Sequence, residues 1–233
     1  MSSRRFFSTN PVVNKRLALT GDELFHLRKV NRAAAGDQVE VIDGQGALFV
    51  GTIDTIDKNK AVIVIEREEI KPRPAVKTII APSLIKKKSM SLMIEKLTEL
   101  GVDEIRPVLY SRTDEKYRHS MPVKWQRIAG QSLKVNKRLW LTGIHPPVSV
   151  AGIIEFSKNT ATRILLDKDG ENIDGREFLF PVIAVIGPPG DLAAEERDLF
   201  LGNGFIPYNI NDCILRTETA ALAIAAFLKM RER

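Results

Sequence analysis

The sequence predicts an α/β protein in two parts, a small and mostly β domain over residues 1–71 and a larger domain over residues 75–233 with a mostly parallel sheet. Three observations carry this. Apolar residues over the first 70 positions alternate or run in short β-branched stretches. Lys71-Pro72-Arg73-Pro74 then breaks both periodicities, because two prolines stiffen the chain and remove amide donors. Beyond it, buried-type strands alternate with segments of helical spacing, the pattern of a parallel sheet covered on both faces.

Thr20-Gly-Asp-Glu23 has capping-box spacing, and Leu24, Leu27 and Val30 follow on one face of a short helix. Gln38–Ile42 and Leu48–Ile56 read as strands joined by a turn at Asp43-Gly44, and Ala61–Ile65 as a third. A short helix beside a small barrel is the natural assembly of these pieces. In the second part, Val76–Ala81 is an apolar strand. Met90, Met93, Ile94, Leu97 and Leu100 recur at helical spacing and Gly101 supplies the stop. Ile105–Leu109 reads as the next strand, and Val123–Val135 as a basic helix. Arg163–Leu166, Val182–Ile186 and Phe205–Tyr208 are later strands, and a last helix runs from Thr217 to about Met230.

Composition narrows the function classes. The longest apolar run, Ala220–Leu228, is too short to cross a bilayer. The opening Met1-Ser-Ser-Arg-Arg-Phe-Phe has no apolar core or small-residue cleavage site, so no secretory signal is expected. Three histidines and one cysteine give no metal-ligand cluster, so no metal is expected. Cys213, in an apolar-looking stretch, is expected as a small buried thiol in a reducing compartment. The net charge of +6 is uneven. Residues 76–140 carry 14 Lys/Arg against 6 Asp/Glu, whereas residues 141–233 carry 9 against 13. A basic middle segment suits a polyanion, and equally a solvated surface.

Three segments of the second part point to chemistry. Ile186-Gly-Pro-Pro-Gly-Asp191 follows an apolar strand and precedes a helix start, where open α/β sheets bind ligands and glycine lets backbone approach closely. In Ile214-Leu-Arg-Thr-Glu-Thr-Ala220, Thr217 or Thr219 can cap the last helix and Glu218 suits its dipole. Arg216 there opposes that dipole, which suggests an acidic partner or a ligand. The third is the basic set Arg112, Lys116, Arg118, Lys124, Arg127, Lys134, Lys137 and Arg138, with Tyr117 and Trp125 among it. Arginine forks hold phosphates and aromatic rings can stack on bases, although Trp125 reads first as a core anchor.

Together, Ile186-Gly-Pro, Leu215-Arg-Thr-Glu-Thr-Ala220 and Glu95-Lys-Leu-Thr-Glu-Leu-Gly101 resemble the RsmE family of 16S ribosomal RNA uridine methyltransferases, in the SPOUT superfamily. The likeness covers nearly the whole chain. Arg4-Arg5-Phe6-Phe7 looks like the family's opening, and Thr20 to Gly46, with His26-Leu-Arg and Gly36-Asp37, like its PUA-like domain. The resemblance implies methylation of uridine N3 in small-subunit RNA or the 30S subunit, with S-adenosyl-L-methionine as cofactor, in a cytoplasmic homodimer. It also implies a PUA-like β-barrel and a C-terminal trefoil knot that holds the cofactor. Carried over, the cofactor cradle is Leu166, Ile186, Gly187, Pro188, Pro189, Gly190, Leu215, Arg216 and Thr217. RNA contacts are expected from Arg4, Arg5, Arg28, Arg112, Lys134 and Arg138. Arginine stays protonated and cannot act as the base, so Arg112, Arg138 and Arg216 are candidates to stabilise a uridine anion. Glu218 is a candidate base, with a structural role as the alternative reading.

Two departures stand out. The family turn Gly-Pro-Glu-Gly-Gly-Phe is here Gly187-Pro-Pro-Gly-Asp-Leu192, which loses an amide at Pro189 and gains a carboxylate at Asp191. Lys134-Val-Asn-Lys-Arg138 keeps the arginine and changes its polar neighbours. These departures leave open an RNA-binding relative that kept the scaffold without catalysis. A methyltransferase of transfer RNA is a third reading.

Overall fold

The computed structural model describes residues 4–113 and 115–232. Residues 1–3, part of the segment read for a leader, lie outside them. The chain divides into two compact units. One runs through Pro74 and includes Leu133–Leu141, and the other holds Ala75–Ser132 and the chain from Thr142.

The first unit contains β1 (Arg5–Phe7), β2 (Arg16–Leu19), α1 (Gly21–Phe25), a π-helical turn (His26–Val30), β3 (Gln38–Ile42), β4 (Ala47–Ile56) and β5 (Ala61–Ile70). They form one sheet in the order β1-β3-β4-β5-β2, parallel only between β1 and β3. Alternation decides the inner face: Val39 and Val41, and Ala61, Ile63 and Ile65, are buried, whereas the residues between them are less so. Phe6 from one edge strand and Leu17 and Leu19 from the other join the same core. The expected turn is present. Asp43 Oδ1 accepts the amides of Gln45 and Ala47 at 2.7 and 2.9 Å, and Gly44 takes φ +72°.

Two expectations fail in this unit. Thr20 precedes α1 in extended conformation, but its side chain makes no cap bond. The buried Glu23 carboxylate instead accepts the Phe7 amide at 3.1 Å and the Lys134 ammonium at 2.8 Å, partners from two other segments that displace the local box. The sequence also assigns everything after residue 75 to the second domain, whereas Leu133–Leu141 belongs with the first unit. Leu133 and Leu139 bury themselves against Ile42 and Leu48, and Trp140 Nε1 donates to the Pro72 carbonyl at 3.0 Å. That apolar burial, worth about 1.5–3 kcal/mol per large side chain, holds the segment there.

The second unit contains β6 (Thr78–Pro82), α2 (Lys87–Glu99), β7 (Glu104–Ile105), β8 (Val108–Leu109), the start of α3 (Met121–Asn136), β9 (Gly143–Ile144), β10 (Val148–Ser149), α4 (Val150–Ser157), β11 (Thr162–Asn172), β12 (Val182–Ile186), α5 (Ala194–Gly202), β13 (Ile206–Asn209) and α6 (Thr217–Arg231). Its six-stranded sheet, ordered β13-β11-β12-β6-β7-β9, is parallel at every pairing. Every residue of β6 and β12 is buried, as strands covered on both faces require. The single strand expected over Ile105–Leu109 is two, because Pro107 has no amide to donate, and β8 pairs instead with β10.

Helix α2 buries Met90, Met93, Ile94 and Leu97. It ends where Gly101, at φ +80°, lets its own amide reach Thr98 and the Val102 amide reach Leu97. Helix α6 packs on α2, β6 and β12, although the strand before it, β13, lies at the far edge beyond β11. The chain therefore returns across the ends of β11 and β12 before entering α6. Among the described residues no helix is long and apolar enough to cross a membrane.

Candidate active site

In a parallel sheet the C-terminal ends of the strands lie on one side, and the turns that leave them converge. Here the turns after β6, β12 and β13, with the irregular middle of β11, border a cavity of ≈ 680 Å³. Leu84–Lys86 line it from the β6–α2 connection, Ser89 from the first turn of α2, Leu166–Lys168 from β11, and Ile186–Asp191 from the end of β12 and the turn after it. Tyr208–Asn211 and Cys213–Glu218 close it from the β13–α6 connection.

Two hydrogen bonds tie these segments together. Thr217 Oγ1 donates to the Gly187 carbonyl at 3.1 Å, joining the turn after β12 to the start of α6. Ser89 Oγ donates to Glu218 Oε1 at 3.0 Å, joining the first turns of α2 and α6. Neither Thr217 nor Thr219 caps α6 as expected. The cap position belongs to Arg216, which makes no side-chain cap bond, because Thr217 is committed to Gly187 and Glu218 to Ser89.

The turn after β12 is shaped by left-handed backbone. Gly190 has φ +89°, a conformation only glycine takes freely, and open space where a Cβ would stand. Asp191 follows at φ +70°, an uncommon state for a residue with a side chain. Its amide donates to Pro188 at 3.1 Å, and its Oδ1 accepts the Leu192 amide at 2.9 Å.

All nine residues expected to cradle a cofactor line this cavity, and so does Glu218. Charge around it is divided. Asp167 is neutralised by Arg197, at 2.6 Å, and that contact raises the guanidinium's affinity for its proton. Arg216, exposed at the N-terminus of α6, has no side-chain partner among the described residues. Nor have Lys86, Lys87, Lys88 and Lys168, all exposed, at or next to lining positions.

The other expected residues lie elsewhere. Arg112 is not a lining residue: its Nη1 donates to the carbonyls of Gly190, Leu192 and Asp191 at 3.1, 3.3 and 3.5 Å. Arg138 belongs to the first unit, where its amide donates to Asn136 Oδ1 at 3.0 Å. Three expected RNA contacts are held in ion pairs: Arg4 with Asp37, Arg5 with Glu40 at 2.6 Å, and Lys134 with Glu23 at 2.8 Å. The last pair is only 10% exposed on either side. Arg28 is exposed, and Trp125 is buried as a core anchor.

Cys213 corrects the sequence reading. It is exposed, not buried, because Asn209 and Asn211 accept the backbone amides two residues ahead and turn the chain outward at the cavity wall. Sequence reasoning missed Ser89 and the lysines before it. Three cations with no acidic residue in the first turn of a helix were the available signal, since they oppose its dipole.

Among known proteins, the RNA methyltransferase domain model matches residues 71–229 and the RNA methyltransferase PUA domain model matches residues 19–66. The chain belongs to the RNA methyltransferase family. The first unit thus carries a PUA domain and the second the methyltransferase domain with the cavity. Ribosomal RNA small subunit methyltransferase E of Synechocystis is 26% identical over 230 residues, covering 94% of this chain and 75% of the relative. The Aquifex aeolicus protein of that name is 27% identical, covering 91% and 93%. The fold is also that of Neisseria gonorrhoeae ribosomal RNA small subunit methyltransferase E, solved bound to S-adenosyl methionine, with TM-score 0.87 and 21% identity over 98% of this RNA methyltransferase and 97% of that chain.

Proposed function

We propose that this chain transfers the methyl group of S-adenosylmethionine to N3 of a uridine in small-subunit (16S) ribosomal RNA. The observation that carries the reading is the Thr217–Gly187 bond, which brings the two loops together around the ≈ 680 Å³ cavity. The relatives named above supply the substrate class.

The residues present suit the cofactor. The volume is that of a small-molecule site, and Gly190 leaves room for close approach to backbone. Ile186 to Gly190 and Leu215 to Thr217 would hold it, with Leu166 as part of the wall. When bound, it supplies a methyl group activated by a sulfonium. The protein must do the rest. Uridine N3 carries a proton and becomes a useful nucleophile only when that proton leaves, with negative charge spreading to the flanking carbonyl oxygens. Arg216 is a cation in the cavity wall with no side-chain partner among the described residues, and it would stabilise that anion. Glu218, held by Ser89, takes the structural role. Holding both reactants in line supplies much of the remaining rate.

The cations Lys86, Lys87, Lys88, Lys168 and Arg216 around the mouth favour an RNA backbone there. Phosphate contacts by Arg4, Arg5 and Lys134 are less favoured than the sequence implied, since each is ion-paired.

The finer architecture also belongs to this reading. The return of the chain from β13 to α6 past the turn after β12 is the path a trefoil knot requires. Both edge strands of the PUA sheet share one core, which supports closure into a barrel. Leu92 on α2 and Met230 on α6 leave apolar area that a second copy would cover in a homodimer. A ribosomal substrate would suit a cytoplasmic protein.

Pro189 and Asp191 favour a second reading, RNA binding without catalysis, because they take an amide from the turn and add a carboxylate. Incubation with methyl-labelled S-adenosylmethionine and 30S subunits or 16S RNA decides. Label recovered as N3-methyluridine supports transfer. RNA binding with no label incorporated would establish the second reading.

A further inference from the structure

Arg112 stands in a basic segment where an RNA contact was expected, but its geometry is that of a clasp. One guanidinium nitrogen faces three successive carbonyls, those of Gly190, Asp191 and Leu192, at 3.1, 3.5 and 3.3 Å. Carbonyl oxygens that converge in this way repel one another, and a cation among them removes the repulsion. Two consecutive left-handed residues, Gly190 at φ +89° and Asp191 at φ +70°, help to shape that stretch of backbone. Glycine tolerates this freely. Aspartate adopts it less readily, and here its own Oδ1, which accepts the Leu192 amide at 2.9 Å, supplies part of the support.

We infer that Arg112 is a positioning residue which holds the turn after β12 in its cofactor-competent shape, and that RNA is not its partner. The inference rests on the cofactor reading of the cavity given above. Arg112 itself does not line the cavity, so it acts through Gly190 and Asp191, which do. It also adds to the local bond between Asp191 Oδ1 and the Leu192 amide in supporting, at residue 191, a backbone conformation that glycine would adopt unaided. The dependence on Arg112 should therefore shrink when residue 191 is made glycine.

The test compares wild type with Arg112→Ala, Arg112→Lys, Asp191→Gly and the double variant Arg112→Ala/Asp191→Gly. Amide exchange at Asp191 and Leu192, without cofactor, should accelerate about tenfold in Arg112→Ala, the loss of roughly one charge-assisted bond. KM for S-adenosylmethionine should rise by about the same factor, with kcat changed less. Arg112→Lys should recover part of both, and the penalty of removing Arg112 should be smaller in the Asp191→Gly background. RNA affinity and its salt dependence should stay as in wild type. The inference is overturned if exchange at Asp191 and Leu192 is unchanged in Arg112→Ala, or if RNA affinity falls and its salt slope drops by about one while KM holds. If Arg112→Ala does not fold, Arg112→Lys and Arg112→Gln carry the same readouts. Should wild type bind no S-adenosylmethionine, the cofactor reading fails by itself, and the clasp is still judged by exchange: acceleration supports it, and none overturns it.

Discussion

Thr217 Oγ1 lies 3.1 Å from the carbonyl oxygen of Gly187, 30 residues away in sequence, and this bond joins the turn after β12 to the N-terminus of the last helix. Thr217 is buried and Gly187 half-buried. Thr217→Val keeps the shape and removes the donor. We expect a loss of about 1–3 kcal/mol in stability and roughly tenfold weaker cofactor binding, with Thr217→Ser close to wild type. Denaturant titration and cofactor affinity measure both. Equal behaviour of the valine and serine variants would remove the bond from the account of the site.

Ser89 and Glu218 make the second link, across 129 residues of sequence. If Glu218 is structural, Glu218→Gln retains an acceptor and should lower kcat no more than about threefold, whereas Glu218→Ala should cost about 1 kcal/mol in stability. A general base would instead show a loss of about a hundredfold or more in the glutamine variant. Single-turnover methyl transfer distinguishes the two.

The lysines at the start of α2 and the lysine at the end of α3 should separate cleanly. Reversing Lys86, Lys87 and Lys88 to glutamate should weaken RNA binding and lower its logarithmic salt slope by roughly two, at about 0.7 per single-strand phosphate contact. Lys134→Gln should leave that slope unchanged. It should cost about 3 kcal/mol of stability, because it takes the ammonium away from the buried Glu23 carboxylate. Filter binding against salt, beside thermal melts, reports each.

Acid stability should carry the signature of Glu104. His145 Nε2 at 3.2 Å and the Arg106 guanidinium at 2.8 Å hold this carboxyl below its usual value of 4.5, against the opposing effect of burial. A group whose affinity for protons falls on folding stabilises the native state above its unfolded value and loses that contribution as pH drops through the folded one. Wild type should therefore lose stability below about pH 4.5 more steeply than Glu104→Gln. At pH 7 the variant should be less stable by about 1–2 kcal/mol. Denaturant midpoints from pH 3 to 7 check this, and parallel curves would contradict it.

Much of the architecture was legible because local patterns and tertiary burial agree. Gln38–Ile42 forms the expected strand because Val39 and Val41 alternate into the core. Helix α2 ends as read because Gly101 can take positive φ. The turn after β12 and the start of α6 announced themselves through Gly187, Gly190 and the uncompensated Arg216. What the sequence hid depends on partners far away in the chain. Glu23 has the spacing of a capping box, yet Lys134 and Phe7 claim it. Leu133–Leu141 reads as a helix end and loop, yet Ile42 and Leu48 hold it in the first unit. Cys213 sits among apolar letters, yet two asparagine turns push it outward. The role of Arg112 could not be read from a basic run, because three backbone carbonyls define it.

The most direct measurement is titration calorimetry of S-adenosylmethionine into the wild-type protein and into Gly190→Trp, with melting curves to show that both fold. Wild type should bind one cofactor per chain, and the indole, placed where Gly190 leaves open space, should abolish the heat. No binding by wild type, or undiminished binding by a folded Gly190→Trp, would contradict a cofactor site between the Gly187 and Thr217 loops.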